Sequence, residues 1–155
     1  MPEGIAHCRQ QAAPLVFDTV IASDLARARM AADAIAQDRT LTRAIDPRWR
    51  ELHFGQWENA LPDGLSLEAL HRDPDAHAPP GGERWSDLRK RVAAALDDLA
   101  GATLVVTHVG AIRAALAVLL DLEYRQCLGI ALPYAALVSL RVWPGEFAEM
   151  TGLKQ

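Results

Sequence analysis

Residues 103–116, "TLVVTHVGAIRAAL", change their periodicity half-way. An apolar run ends at His108 and Gly110, and the apolar residues beyond fall at helical spacing. That is a buried strand feeding directly into a helix, the repeating unit of an α/β fold. In such folds the carboxyl ends of the strands face the ligand crevice, and the first turn of the next helix offers free N–H groups to an anion. His108, Val109 and Gly110 therefore occupy a position suited to binding a phosphate. A strand-end histidine can equally do no more than hydrogen-bond its turn, so other residues must decide.

Working outward, the same alternation recurs. "PEGIAHCRQQAAPL" carries Ile5, Cys8, Ala12 and Leu15 at helical intervals, with a proline acceptable in a first turn. Val20 and Ile21 mark a short buried strand, and "ARARMAADAIA" after it is rich in strong helix formers. "TLTRAID" reads as a second strand closed by Pro47. Residues 48–82 turn to Pro, Gly, Asp, His and Trp, with one short helix expected around 67–70; so long an irregular segment is usually functional. Leu88, Val92, Ala95, Leu96 and Leu99 line one face of an amphipathic helix that Gly101 stops. "YAALVSLRVW", the turn Pro144-Gly145 and a weak strand over 147–151 complete the chain. The expectation is an α/β protein: a three-layer α/β/α sandwich with a mainly parallel sheet covered on both faces.

Composition narrows the function classes. At 155 residues the chain is one domain's worth. Half its residues are hydrophobic, but no apolar run approaches a membrane span and the first ten residues lack a signal-peptide core, which makes a soluble cytoplasmic protein the default. A net charge of −4 argues against non-specific nucleic-acid binding. Cys8 and Cys127 form no CxxC, and His53, His71, His77 and His108 show no ligand spacing with carboxylates. No metal, cofactor or disulfide framework is expected, and a metal-dependent hydrolase ranks last.

Three polar islands fall where this architecture exposes loops: "ASDLARAR", "RELHFGQWEN" and "THVGAIR". Arg27, opening a helix after a strand end, has forked donors suited to phosphate oxygens; alone it would read as a solvated helix arginine. Glu51 lies between Arg50 and His53, close to Phe54 and Trp57, a setting for a carboxyl acid; its alternative is a loop salt bridge.

Together these segments resemble the histidine phosphatase, or phosphoglycerate mutase-like, superfamily over essentially the whole chain. "PEGIAHCRQQA" is similar to its first helix, "ASDLARARMAADAIA" to its S-x-L-x-R-x-x-x-T-A segment, "ELHFGQWEN" to E-x-x-F-G-x-W-E-G, and "LVVTHVGAIRAAL" to its second-histidine motif. The resemblance implies that Arg27 binds the transferred phosphoryl group, Glu51 donates the proton, and His108 hydrogen-bonds the phosphate. "PPGGERWSDL" resembles P-G-G-E-S, which implies Gly82 and Glu83 near the pocket, Glu83 at its rim as a binding residue, with Arg84 where serine is usual. The family opens on a strand ending in Arg-His-Gly, whose histidine is the nucleophile, and no such motif occurs here. His7 lies within a helical pattern and is a poor substitute. Lesser departures are Ala22, Ala31, Asn59 and Val109.

The resulting expectation is one histidine phosphatase-like domain over 1–155, N-terminally incomplete. It would be a phosphomonoesterase for a small phosphorylated metabolite, closest to small bacterial phosphatases such as α-ribazole phosphatase, whose nucleophile lies outside the chain. The alternatives are a catalytically inactive phosphate-binding or interaction domain and a phosphoglycerate mutase. With the first strand expected between the Val20 and Val105 strands, its absence would leave a gap there and a tendency to form homo-oligomers.

Overall fold

The computed structural model describes residues 2–58 and 63–154. In chain order these form α1 (Pro2–Ala12), β1 (Thr19–Ala22), α2 (Ala26–Arg39), β2 (Arg43–Ile45), α3 (Gly64–Arg72), α4 (Trp85–Asp97), β3 (Thr103–Val106), α5 (Val109–Leu119), α6 (Tyr124–Leu128), β4 (Leu137–Trp143) and β5 (Phe147–Lys154). Two 3-10 turns, Pro47–Trp49 and Gly55–Trp57, punctuate the irregular segment between β2 and α3. Asn59 lies outside the described residues.

The fold is mixed α/β with a parallel sheet in the order β2-β1-β3. Successive side chains on a strand point to opposite faces, and here each face meets its own helices. Val20, Ala22 and Val106 pack with Ala32 and Ala36 of α2, while Ile21 and Val105 pack with Leu88 and Val92 of α4 and Ala111 and Ala115 of α5. The alanines of α2 and α5 let both helices lie close against the strands. Helix α2 ends where Thr40 adopts the left-handed conformation, and its N–H reaches back to the carbonyls of Ala36 and Gln37. Helix α6 was not expected. Its signal was present as Glu123-x-x-Gln126, the spacing of a capping box, and the Glu123 N–H donates to the Gln126 side-chain oxygen at 2.7 Å.

One expectation about the sheet is corrected. No gap separates the Val20 and Val105 strands: β1 and β3 pair directly, Val20 opposite Leu104 and Ile21 opposite Val105. Both are four-residue apolar runs of matching pattern, so they form an unbroken parallel ladder. The last two strands do not join this sheet but form a separate antiparallel hairpin, Leu137 opposite Lys154 through Trp143 opposite Phe147. Among the described residues β3 and β4 each have one strand neighbour. Between them runs a cleft of about 830 Å³, walled by Leu104, Thr107, Trp49, Ile112, Leu140 and Val142. The unpaired edges expected from the sequence thus exist, but on the opposite side of β3. No described helix is long and apolar enough to cross a membrane.

Candidate active site

The site is assembled at the carboxyl ends of β1 and β3. The Ser23 N–H donates to the Val106 carbonyl at 3.1 Å, extending the ladder one step past β1 and fixing the start of the turn into α2. Arg27 then lies in the first turn of α2. At the end of β3 the chain passes through Thr107 to His108, which stands at the N-cap of α5 in extended conformation and makes no side-chain cap bond. Its ring instead turns back toward β1 and α2. Arg27 Nε donates to His108 Nδ1 at 3.1 Å, and His108 Nε2 lies 2.6 Å from Ser23 Oγ. Ser23 is fully buried and His108 is only 6% exposed. Burial, reinforced by the Arg27 guanidinium and opposed by Asp24, lowers the histidine to about 4, so the ring is neutral at pH 7.

Glu51 arrives from the irregular segment, which several bonds tie to the sheet. The Asp46 N–H donates to the Ala22 carbonyl at 2.9 Å, and Asp46 in turn accepts the Arg48 N–H, capping the Pro47–Trp49 turn. Thr107 Oγ1 donates to the Trp49 carbonyl at 2.5 Å, joining the end of β3 to the residue two before Glu51. The glutamate Oε1 accepts the Leu52 N–H at 2.9 Å and lies directly against Gly110, where a Cβ would overlap it. A side chain at 110 would therefore displace the carboxylate. Arg27, His108 and Glu51 are brought together by the fold, the first two through a hydrogen bond and the third through the residue two beyond His108. Val109 and Gly110 open α5.

Glu83 is engaged by groups of the protein itself. Its carboxylate is engaged by Arg91, with Nε to Oε1 at 2.7 Å and Nη2 to Oε2 at 2.8 Å, and it also accepts the His53 N–H at 3.3 Å. The Arg91 contact is a charge-assisted pair. Arg91 of α4 also donates to the carbonyls of Arg48, Arg50 and Glu51 at 2.6, 2.7 and 3.0 Å. One guanidinium therefore clamps the segment that carries Glu51 onto α4. The two glycine-bearing motifs pack together as well: Gly55, at φ +52°, sits where a Cβ would meet the Pro80 carbonyl, and the Glu83 N–H donates to the His53 carbonyl at 2.8 Å. Arg50 pairs with Asp24, which holds that carboxyl below its usual range. His7 lies inside α1 with its ring 3.2 Å from the Gln11 amide, remote in role from the cluster. Cys8 and Cys127 are free thiols, both pushed up by burial.

Residues 3–151 match the histidine phosphatase superfamily (branch 1). The chain belongs to that superfamily. A probable phosphoglycerate mutase of Yersinia pestis is 36% identical over an alignment covering 66% of this chain and 53% of that protein. A bifunctional protein of Mycobacterium tuberculosis is 37% identical, with 66% of this chain and 31% of that protein covered. The chain thus spans about a third to a half of the length of these relatives. Among solved structures, the α-ribazole phosphatase of Shigella flexneri superposes with a TM-score of 0.82 over 99% of this chain and 81% of that one, at 22% identity, a likeness of fold. This histidine phosphatase chain departs from the sequence expectation at Ser23 and Arg91, neither of which had been assigned a role.

Proposed function

We propose that this chain is the greater part of a histidine phosphatase domain, incomplete at its N-terminus, that acts as a phosphomonoesterase on a small phosphorylated metabolite. The observation that carries the reading is the convergence of Arg27, His108 and Glu51 at the carboxyl ends of two paired parallel strands. In the proposed reaction Arg27, His108 Nε2–H and the Val109 and Gly110 N–H groups donate to the phosphoryl oxygens as charge spreads over them. A histidine on a segment ahead of residue 1 attacks phosphorus, the P–O bond to the alcohol breaks, and Glu51 gives its proton to the departing oxygen. Water then attacks the phosphohistidine and Glu51 takes a proton back, releasing inorganic phosphate and the starting enzyme. The cleft beside β3 supports this reading because it offers two strand edges to an additional strand. A short segment between Glu51 and Gly82 favours a phosphatase over a mutase with a large substrate-covering insertion.

The test compares the 155-residue chain with one extended upstream to include an Arg-His-Gly strand. The short chain is expected to hydrolyse simple phosphomonoesters at background, and the extended one to turn over without added metal and to lose most of its rate on His108→Ala. Robust His108-dependent turnover by the short chain would overturn the missing acceptor. Calorimetric binding of phosphate without turnover in the extended chain would favour a phosphate-binding domain instead.

A further inference from the structure

A serine oxygen 2.6 Å from a histidine Nε2 has the outline of a nucleophile and its base. The other side of the ring excludes that pairing. Arg27 Nε can only donate, so His108 Nδ1 must accept. The neutral ring then carries its single proton on Nε2 and donates it to Ser23 Oγ; a nitrogen that holds a proton cannot remove one from the serine. Ser23 Oγ is itself held from a second side, by the Leu25 N–H at 3.4 Å at the entry to α2, and the residue has no solvent exposure.

We infer that Ser23 is a positioning residue for His108, fixing the ring orientation through the hydrogen bond at the end of β1 while Arg27 sets the Nε2–H tautomer. The inference rests on the proposed role of His108 as a phosphate ligand. Ser23 and Arg27 grip opposite nitrogens of the imidazole, and a ring flip would break both bonds. The one donor that the neutral ring owns is therefore held in place on Ser23 Oγ, and an arriving phosphate oxygen takes it over from the hydroxyl. The buried hydroxyl and the strand-end histidine thus form one unit, although they lie 85 residues apart.

The experiment is a long-range ¹H–¹⁵N correlation spectrum of the histidine-labelled 155-residue chain at pH 7, with His108 assigned by the signal lost in His108→Gln. The unaltered protein is expected to show a protonated Nε2 and an unprotonated Nδ1 at His108. Ser23→Ala is expected to keep the Nε2–H tautomer, which Arg27 sets, but to shift the ring signals and to speed exchange of the Nε2 proton with water about tenfold, the scale of one lost hydrogen bond; Ser23→Thr restores both. A proton on Nδ1 in the unaltered protein overturns the inference whether or not any variant folds. So does a folded Ser23→Ala protein with unchanged ring shifts and exchange. Titration with inorganic phosphate is read separately. His108 shifts indifferent to phosphate would remove its proposed ligand role while leaving the Ser23 hold intact, whereas a phosphate response with Nε2–H exchange unchanged by Ser23→Ala would do the reverse.

Discussion

His108 is a buried base with a guanidinium on one nitrogen and a hydroxyl on the other, and that combination carries a linkage consequence. Its folded-state value of about 4 lies below the ordinary 6.5, set first by burial, then by Arg27, with Asp24 opposing and Arg91 adding. The unfolded chain therefore takes up the proton first as pH falls. The stabilisation is fully present above pH 6.5 and is lost as pH drops toward 4, by about 3 kcal/mol in all at roughly 1.4 kcal/mol per unit. Urea denaturation at stepped pH should show this loss, and His108→Gln should flatten the curve over that window. The Asp24 and Asp46 carboxyls, lowered by Arg50 and Arg48, act only below their ordinary value near 3.8 and leave the window clear. Arg91→Ala should cost about 2–4 kcal/mol, because it strips a partner from the half-buried Glu83 carboxylate and leaves three carbonyls without their donor. Arg91→Lys should recover only part of that, since one ammonium cannot reproduce the fork. Arg27, Glu51 and His108 were legible in the sequence because each stands at a strand end or in a motif. Ser23 also stands at a strand end and opens the S-x-L-x-R segment, yet neither it nor Arg91 drew a role from the sequence. A serine before a helix reads as a turn former, its burial being a tertiary fact, and the acceptors of Arg91 are backbone carbonyls, which have no sequence signature.

Helix α4 begins at Trp85 with Arg84 at its N-cap in extended conformation, φ −78° and ψ 154°; the Arg84 side chain makes no cap bond, and Asp75 Oδ1 accepts the Ser86 N–H at 2.8 Å. The family pattern has serine at this position, and a serine hydroxyl would accept the N–H of Asp87 beside the Asp75 contact to Ser86. Arg84→Ser should therefore stabilise the protein by about 1 kcal/mol, read as a higher urea midpoint with unchanged slope. Most helices could be read from apolar spacing because their buried faces are long enough to repeat. The five-residue α6 is too short for periodicity and survives on its cap and its contact with α5. For the hairpin the sequence left the pairing open. Both of its runs read as strands, but apolar pattern does not state which neighbour a strand takes; here the Pro144-Gly145 turn and the stacked Trp143 and Phe147 rings, 4.3 Å apart, fold the pair back on itself. Strand β5 also runs to Lys154 rather than 151, since each added residue finds a partner on β4 past a register shift at Ser139 and Leu140.

At the level of the whole molecule, the cleft between β3 and β4 sets the behaviour. Amides of β3 bonded to β1 should exchange slowly with deuterated solvent, while the alternate amides facing the cleft should exchange at rates close to those of loops. Uniform protection along β3 would mean that another strand, from this chain or a second copy, covers that edge. Sequence could indicate that an edge was left open but not where, because the adjacency of β1 and β3 is fixed by the matching of two short apolar runs and not by their order along the chain. The same cleft bears on cooperativity. Among the described residues the hairpin shares no broad contact with the rest of the molecule, and Val142, Phe147, Met150 and Leu153 stay exposed on it. Heating should therefore release the hairpin before the helical core yields, in two transitions rather than one. Trp143 would report the first, and Trp49 and Trp85, both sequestered in that core, the second.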